Sequence, residues 1–306
     1  MAEEIGICVM VCTPPATMTS IVPLITACAA KCTACCEEPH WRSIVVPGTS
    51  CDKPAASQAV RAMSPAKGPM VSTQPKITSS YSLSNVSDVA VTATSVSFTW
   101  KSLDVRLPIG GSYAVMNAIA AITCASELGI PDGRIVSGCA SVQTVPGRFE
   151  SVPNDVDIDV VVDFAHTPEA LQGLLTSARE IARAGLIVVF GCGGDRDHAK
   201  RPLMGDIASR GADIVIVTSD NPRSEDPELI VREVMSGVVV NHALVSSIVN
   251  REKAIESAIL GAKRGDMVVI AGKGHETTQE ANGELTPSSD VAIAAKALRV
   301  REEKRK

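Results

Sequence analysis

The chain has 306 residues, of which 45% are hydrophobic, 21% charged and only 3% aromatic, with a net charge of -5. The length suits roughly two domains, the core has to come from Val, Ile, Ala and Leu, and no long basic stretch is present to neutralise nucleic-acid phosphates. No apolar run reaches the ~20 residues of a membrane span; Ile5–Ala30 comes nearest but is interrupted by Pro14, Pro15 and Pro23.

The start, Met1-Ala2-Glu3-Glu4, is acidic where a signal or transit peptide is basic or acid-poor. The protein is therefore expected to be soluble and not secreted, in a cytoplasm or, alternatively, a plastid stroma. Of ten cysteines, Cys8, Cys12, Cys28, Cys32, Cys35, Cys36 and Cys51 fall early. They crowd one stretch with only His40 nearby, whereas structural zinc sites use two separated pairs. Free thiols are the preferred reading, and no metal ligand is assigned. Cys124, Cys139 and Cys192 lie in apolar segments and read as buried thiols.

In chain order, residues 1–80 show no sustained period of 2 or 3.6 and read as an irregular Cys/Pro/Ser-rich segment. A leader, a degraded domain and a mistranslated start are all compatible with it. Asp88–Trp100 alternates as a strand, with Leu103–Leu107 as its hairpin partner. Val115, Ile119, Ile122 and Ala125 share a helical face that ends at Gly129 with Pro131 beyond it. A short helix then runs from Asp132 to about Ser141. From there strands and helices alternate: strand Val156–Phe164, helix Pro168–Ala184, strand Leu186–Phe190, helix Arg201–Arg210, strand Ile214–Thr218, helix Glu225–Val238, strand Leu244–Val249, helix Arg251–Arg264, strand Met267–Ala271 and helix Asp290–Arg299. The pattern predicts an α/β, Rossmann-like doubly wound domain from about Val145 to Leu298. The mixed-sign end, Arg299–Lys306, reads as a solvated helix terminus.

Ligands of such sheets bind beyond the carboxyl ends of the strands. Four polar loops occupy those positions: Asp163–Pro168, Gly191–Pro202, Ser219–Arg223 and Gly272–Glu276. In Gly191-Cys192-Gly193-Gly194-Asp195-Arg196, the third glycine of a dinucleotide fingerprint is replaced by Arg196. An arginine between Asp195 and Asp197 suits a carboxylate or phosphate better, and a structural ion-pair cluster is the competing reading. Asp220-Asn221-Pro222-Arg223 can recognise a zwitterion, Asp220 taking an ammonium and Arg223 a carboxylate; a plain turn before the next helix fits equally well. Gly272-Lys273-Gly274-His275-Glu276 lacks Walker spacing, so His275 is read as orienting a ligand and Glu276 as holding an ammonium. His166 caps the helix at Pro168 or faces the cleft.

Taken together, Val115–Ala121, Val145–Glu150, Asp163–Pro168, Val189–Gly205, Asp220–Pro227 and Ala271–Glu276 resemble the Mur ligases, and among them those that add diaminopimelate. The resemblance covers roughly residues 80–300. It implies that residues 81–145 are the end of a central ATPase domain and residues 146–306 the C-terminal, amino-acid-binding domain. It implies chemistry in which ATP and Mg2+ activate the D-glutamyl carboxylate of UDP-N-acetylmuramoyl-L-alanyl-D-glutamate as an acyl phosphate for attack by meso-diaminopimelate. By position it makes Arg148 and His166 catalytic, and Asn117, Arg148 and Asp163 ATP-binding. Arg196, Asp220, Asn221, Pro222, Arg223, Gly272 and Glu276 become the diaminopimelate-binding set, with Arg223 the residue that lysine-adding relatives lack. It further implies peptidoglycan synthesis in the cytoplasm by a monomer that engages small molecules and neither nucleic acid nor membrane.

The departures are specific. No G-T-x-G-K-[ST] loop occurs, and the magnesium-ligating glutamate, histidine and modified lysine and the uridine-binding domain have no matching segment. The chain alone is therefore expected to lack ligase activity. Phe164 stands where tyrosine is usual. Ser288-Ser289-Asp290 replaces an acidic–arginine pair, with the expectation of a looser last helix or a lost nucleotide contact.

Overall fold

The structure, a computed structural model, describes residues 81–304 except 241, together with three short strands before them. Those strands, β1 (Gly6–Met10), β2 (Arg42–Val45) and β3 (Thr78–Ser80), pair in the order β2-β1-β3. The remainder of the opening segment, including the cysteines from Cys28 to Cys36, lies outside the described residues. Two compact units divide the chain: Met1–Ser87 with Thr99–Val105 and Met116–Val142, and Asp88–Phe98 with Arg106–Val115 and Gln143–Lys306.

The stretch expected to be one strand from Asp88 to Trp100 is two, β4 (Ser87–Val91) and β5 (Val96–Trp100), joined to β6 (Leu103–Leu107) in the order β4-β5-β6. The break comes from Thr92, whose Oγ1 accepts the N–H groups of Thr94 and Ser95 at 3.2 and 2.9 Å. A hydroxyl that captures nearby amides closes a turn inside an otherwise alternating run. Lys101 and Ser102, both at positive φ, make the next hairpin turn. Helix α1 (Tyr113–Glu127) ends where the sequence predicts, at Gly129 with φ +75°, and is followed by α2 (Asp132–Ala140).

The larger unit is built on a six-stranded sheet. Its strands are β7 (Glu150–Ser151), β8 (Asp159–Asp163), β9 (Leu186–Phe190), β10 (Ile214–Val217), β11 (Leu244–Ser247) and β12 (Met267–Ala271). They lie in the order β11-β10-β9-β12-β8-β7, all parallel except β7. Every residue of β9 and β12 is buried, because helices cover both faces and a Val or Ile withdrawn from water contributes roughly 1.5–3 kcal/mol. Alternate residues feed two cores. Val161, Val188, Val217 and Val269 pack with α3 (Pro168–Ile181), α4 (Lys200–Gly211) and α5 (Pro227–Met235). Val160, Val162, Val189 and Ile270 pack with α6 (Arg251–Gly261) and α7 (Asp290–Glu303). Three helices on one face and two on the other make the doubly wound arrangement the alternation predicts.

Helix starts follow local chemistry. Thr167 caps α3 and Asp226 caps α5, each followed by a proline whose missing N–H costs nothing at the first helical position. The start expected at Glu225 therefore moves to Pro227, since a residue before proline is driven out of the helical region. Asn250 caps α6. The expected loosening of the last helix is not observed: Ser289 accepts the Ala292 N–H, and α7 runs past Arg299 to Glu303. A two-stranded hairpin that the sequence reading passes over, β13 (Thr278–Ala281) with β14 (Glu284–Pro287), separates β12 from α7. Its Asn282-Gly283 turn, with both residues at positive φ, is a strong hairpin signal in the sequence itself.

Candidate functional site

A cleft of about 680 Å³ opens at the carboxyl ends of β8, β9, β10 and β12. Arg196, Asp220, Asn221, Arg223, Gly272 and Glu276 all line it, as does His166. Pro222 lines a second, separate hollow of about 800 Å³ behind the same segment. Six of the seven residues grouped by the resemblance as amino-acid-binding are thus brought together from three different loops, and Pro222 supplies backbone shape.

Glycines let these loops approach. A Cβ on Gly194 would overlap the Pro222 carbonyl, and the Gly194 N–H donates to the Asn221 carbonyl at 2.8 Å. Gly272, at φ +113°, lies against Asp220; a Cβ there would sit 2.6 Å from Asp220 Oδ2. Asp220 Oδ1 accepts the Asn221 N–H at 2.7 Å, while Oδ2 has no hydrogen-bond donor among the described residues. The Asn221 amide bridges two elements: Nδ2 donates to Glu276 Oε2 at 2.8 Å, and Oδ1 accepts the Glu280 N–H at 3.0 Å. Arg223, itself at φ +53°, donates Nη1 to the Gly194 carbonyl at 2.7 Å, and its Nε faces Glu280 Oε2 at 3.4 Å. Its Nη2 has no partner among the described residues. Arg196 is exposed and, among the described residues, holds only the Asp195 carbonyl, through Nη1 at 3.0 Å. The cleft therefore offers carboxylates at Asp220 and Glu276 and guanidinium N–H groups at Arg196 and Arg223, a pattern that a small zwitterion complements.

Behind the two arginine-bearing loops stands a support that the sequence does not reveal. Arg201 on α4 has a fully buried side chain and donates to Glu225 through both Nη atoms at 2.9 Å, and to Glu233 at 2.7 Å. Glu225 also accepts the Asp195 N–H, while Asp195 accepts the Ser224 hydroxyl at 2.6 Å. The Arg201 guanidinium holds the Glu225 carboxyl down at about 2, and the Ser224 hydroxyl keeps Asp195 low as well. The ion-pair cluster weighed for Arg196 with Asp195 and Asp197 is not observed among the described residues; the ion pairs here are those of Arg201 with Glu225 and Glu233, and Arg196 lines the cleft.

A second frame ties β10 to β12. Arg251, at the start of α6, donates to Asp290 at 2.8 and 2.7 Å, to the Ser219 carbonyl at 3.2 Å and to the Ala271 carbonyl at 2.9 Å. Ser219 and Ala271 directly precede Asp220 and Gly272. Lys273, also buried, donates to the Thr278 carbonyl, and burial pulls its pKa down. The Asp290 of the Ser288-Ser289-Asp290 departure is therefore half of a buried ion pair.

The residues matched to nucleotide chemistry sit differently. Asp163 does not line the cleft: Oδ2 accepts the Tyr113 hydroxyl at 3.1 Å and the Phe149 N–H at 2.8 Å, and Oδ1 accepts the Ala165 N–H at 2.8 Å. Burial raises its pKa against those donors. The Arg148 guanidinium lies 5.0 Å from the Phe164 ring centre, and the His166 and His275 rings lie at 4.6 and 5.6 Å. Phe164 is the hub of that group, which gives an aromatic ring at this position a packing role. The His166 side chain approaches the Phe164 carbonyl through Nδ1 at 2.9 Å. Thr167, and not His166, caps α3. Asn117 is half-buried within α1. Cys124, Cys139 and Cys192 are buried thiols outside any disulfide, as expected. Among the described residues, no cluster of three His, Cys, Asp or Glu side chains is arranged to hold a metal ion, and no helix is long and apolar enough to cross a membrane.

Fold and site together define a Rossmann-like α/β domain with a strand-end cleft complementary to a small zwitterion. Residues 147–274 match the family model described as Mur ligase, glutamate ligase domain. The chain is 48% identical over 199 residues to a UDP-N-acetylmuramoyl-L-alanyl-D-glutamate--2,6-diaminopimelate ligase of Syntrophomonas wolfei, covering 65% of this chain and 41% of that protein. With the enzyme of the same name from Bacillus velezensis it shares 42% over 227 residues, covering 71% and 46%. A solved structure of a ligase of that name superposes with TM-score 0.57 at 37% identity, over 71% of this chain and 45% of that one. Residues 147–274 thus form a Mur ligase C-terminal domain, and the chain spans less than half the length of these relatives.

Proposed function

We propose that this chain carries the amino-acid-binding part of an ATP-dependent ligase that joins meso-diaminopimelate to UDP-N-acetylmuramoyl-L-alanyl-D-glutamate in peptidoglycan precursor synthesis. The observation that supports this most is the pairing of Asp220 and Glu276 with Arg196 and Arg223 around one cleft. Diaminopimelate has an ammonium and a carboxylate at each end. Asp220 Oδ2 suits an ammonium, and Arg223 Nη2 suits the carboxylate that lysine lacks. Relatives with this diaminopimelate-ligase name support the same substrate. Their bacterial setting favours cytoplasm over plastid.

In the reaction proposed for the complete enzyme, ATP converts the D-glutamyl carboxylate to an acyl phosphate. The diaminopimelate amine bonds to that carbonyl carbon, and phosphate leaves. Residues 146–306 would orient the amine; Arg148 and His166 lie beside Phe164, where they would meet the activated partner. Asp163, whose oxygens are engaged by protein donors, would hold Phe149 and Ala165 in place beneath that group. Mg2+ bound with ATP would neutralise the transferred phosphate's charge in the activating step. With no G-T-x-G-K-[ST] segment in the sequence, this polypeptide by itself is expected to bind without turnover.

Titration calorimetry with meso-diaminopimelate tests the reading. Binding is expected, weakened by Arg223→Ala by about 1.5–3 kcal/mol, or roughly ten- to hundredfold, the worth of a hydrogen bond to a charged group. No heat with the parent chain, or equal affinity in the variant, would overturn it.

A further inference from the structure

We infer that Glu280, on the hairpin outside the four strand-end loops, is a positioning residue that sets the specificity of the cleft by fixing Arg223; this rests on the reading of the cleft as a diaminopimelate site. Strand β13 lies alongside the segment 219–223 and bonds to nearly every residue of it. Gln279 Nε2 donates to Ser219 Oγ at 3.0 Å and to the Asp220 carbonyl. The Glu280 N–H donates to Asn221 Oδ1, the Arg223 N–H donates to the Glu280 carbonyl at 3.1 Å, and the Asn282 N–H donates to the Arg223 carbonyl at 2.6 Å. Arg223 and Ala281 form an isolated parallel bridge.

That ladder has a consequence for a residue under strain. Arg223 occupies the left-handed region, which a long side chain adopts only when its surroundings impose it. The backbone bonds from Glu280 and Asn282 impose it. The Glu280 carboxylate then faces Arg223 Nε, while the Gly194 carbonyl takes Nη1. With two of its three nitrogens engaged, the guanidinium has one orientation, and Nη2 is the nitrogen left to meet a ligand. A planar fork held in advance loses less freedom on binding a carboxylate than a free one does. Glu280 is itself half-buried and absent from the cleft lining, so its influence passes through Arg223.

The experiment compares affinities for meso-diaminopimelate and L-lysine in the parent chain, Glu280→Ala and Glu280→Gln, with a melting temperature for each. Glu280→Ala is expected to lower meso-diaminopimelate affinity about tenfold and to leave L-lysine within about twofold, collapsing the ratio between them. Glu280→Gln, which keeps an oxygen acceptor toward Nε, is expected to restore most of the ratio. A merely structural role would lower the melting temperature and both affinities together, and that result would overturn the inference. So would tighter meso-diaminopimelate binding in both variants, since Glu280 would then act only by repelling the ligand. If the parent chain does not discriminate the two amino acids, the functional reading itself fails. If the parent discriminates and Glu280→Ala keeps the ratio, only the role of Glu280 is lost.

Discussion

Arg251→Met removes one guanidinium from the frame that joins the ends of β10 and β12. Its side chain and that of Asp290 are 1% and 0% exposed, so the variant strands a carboxylate where water cannot reach it. Breaking one side of a buried pair costs about 3–5 kcal/mol. At roughly 2–4 °C per kcal/mol for a unit of this size, the melting temperature should fall by about 6–20 °C. Arg251→Met with Asp290→Leu removes the stranded charge but leaves the Ser219 and Ala271 carbonyls without the donor they have now. The double variant should therefore recover the ionic part of the loss and remain about 1–3 kcal/mol below the parent. Urea melts of the three proteins measure this. A loss under about 1 kcal/mol in the single variant, or a double variant no better than the single, would refute the argument that the pair holds the frame.

Two further outcomes follow from the site. Glu225 has a folded-state pKa of about 2 against an ordinary 4.5, so its ionised form favours the folded state above the ordinary value. That contribution is lost as pH falls through the window down to about 2; in acid melts Glu225→Gln should flatten this limb of the stability curve, and parallel limbs in parent and variant would contradict it. Burial pushes the Cys192 thiol up to about 12, and its Sγ lies 3.6 Å from Met204 Sδ. At about pH 8 the peptide containing Cys192 should take up a thiol reagent, read by mass spectrometry, only after denaturant is added; rapid labelling of the native protein would show that the loop after β9 opens locally.

Much of the larger unit was legible in the chain. Runs such as Leu186–Phe190 and Met267–Ala271 are apolar at every position, as strands covered on both faces are. The helices between them lie within a few residues of where the alternation put them, although the caps Thr167, Asp226 and Asn250 became visible only in the fold. The apolar runs are local signals, and they located the four polar loops at one sheet edge. The Asn282-Gly283 turn was equally local but stood between short polar strands, Thr278–Ala281 and Glu284–Pro287, that no hydrophobic alternation announces.

The sequence by itself determined the strand-and-helix alternation and which loops carry Arg196, Asp220, Arg223 and Glu276, because apolar runs and capping residues act over a few neighbouring positions. Only the tertiary structure decided what each polar group does there. Arg201 and Arg251 look like ordinary helix-start arginines until the fold buries them against Glu225, Glu233 and Asp290. The resemblance gives Asp163 a nucleotide contact, and in the fold its oxygens accept the N–H groups of Phe149 and Ala165. Partners such as Phe149 and Asp163, 14 residues apart, and Arg251 and Asp290, 39 apart, meet only when the sheet brings strand ends side by side, and burial then decides whether a charge faces a ligand or holds the protein together.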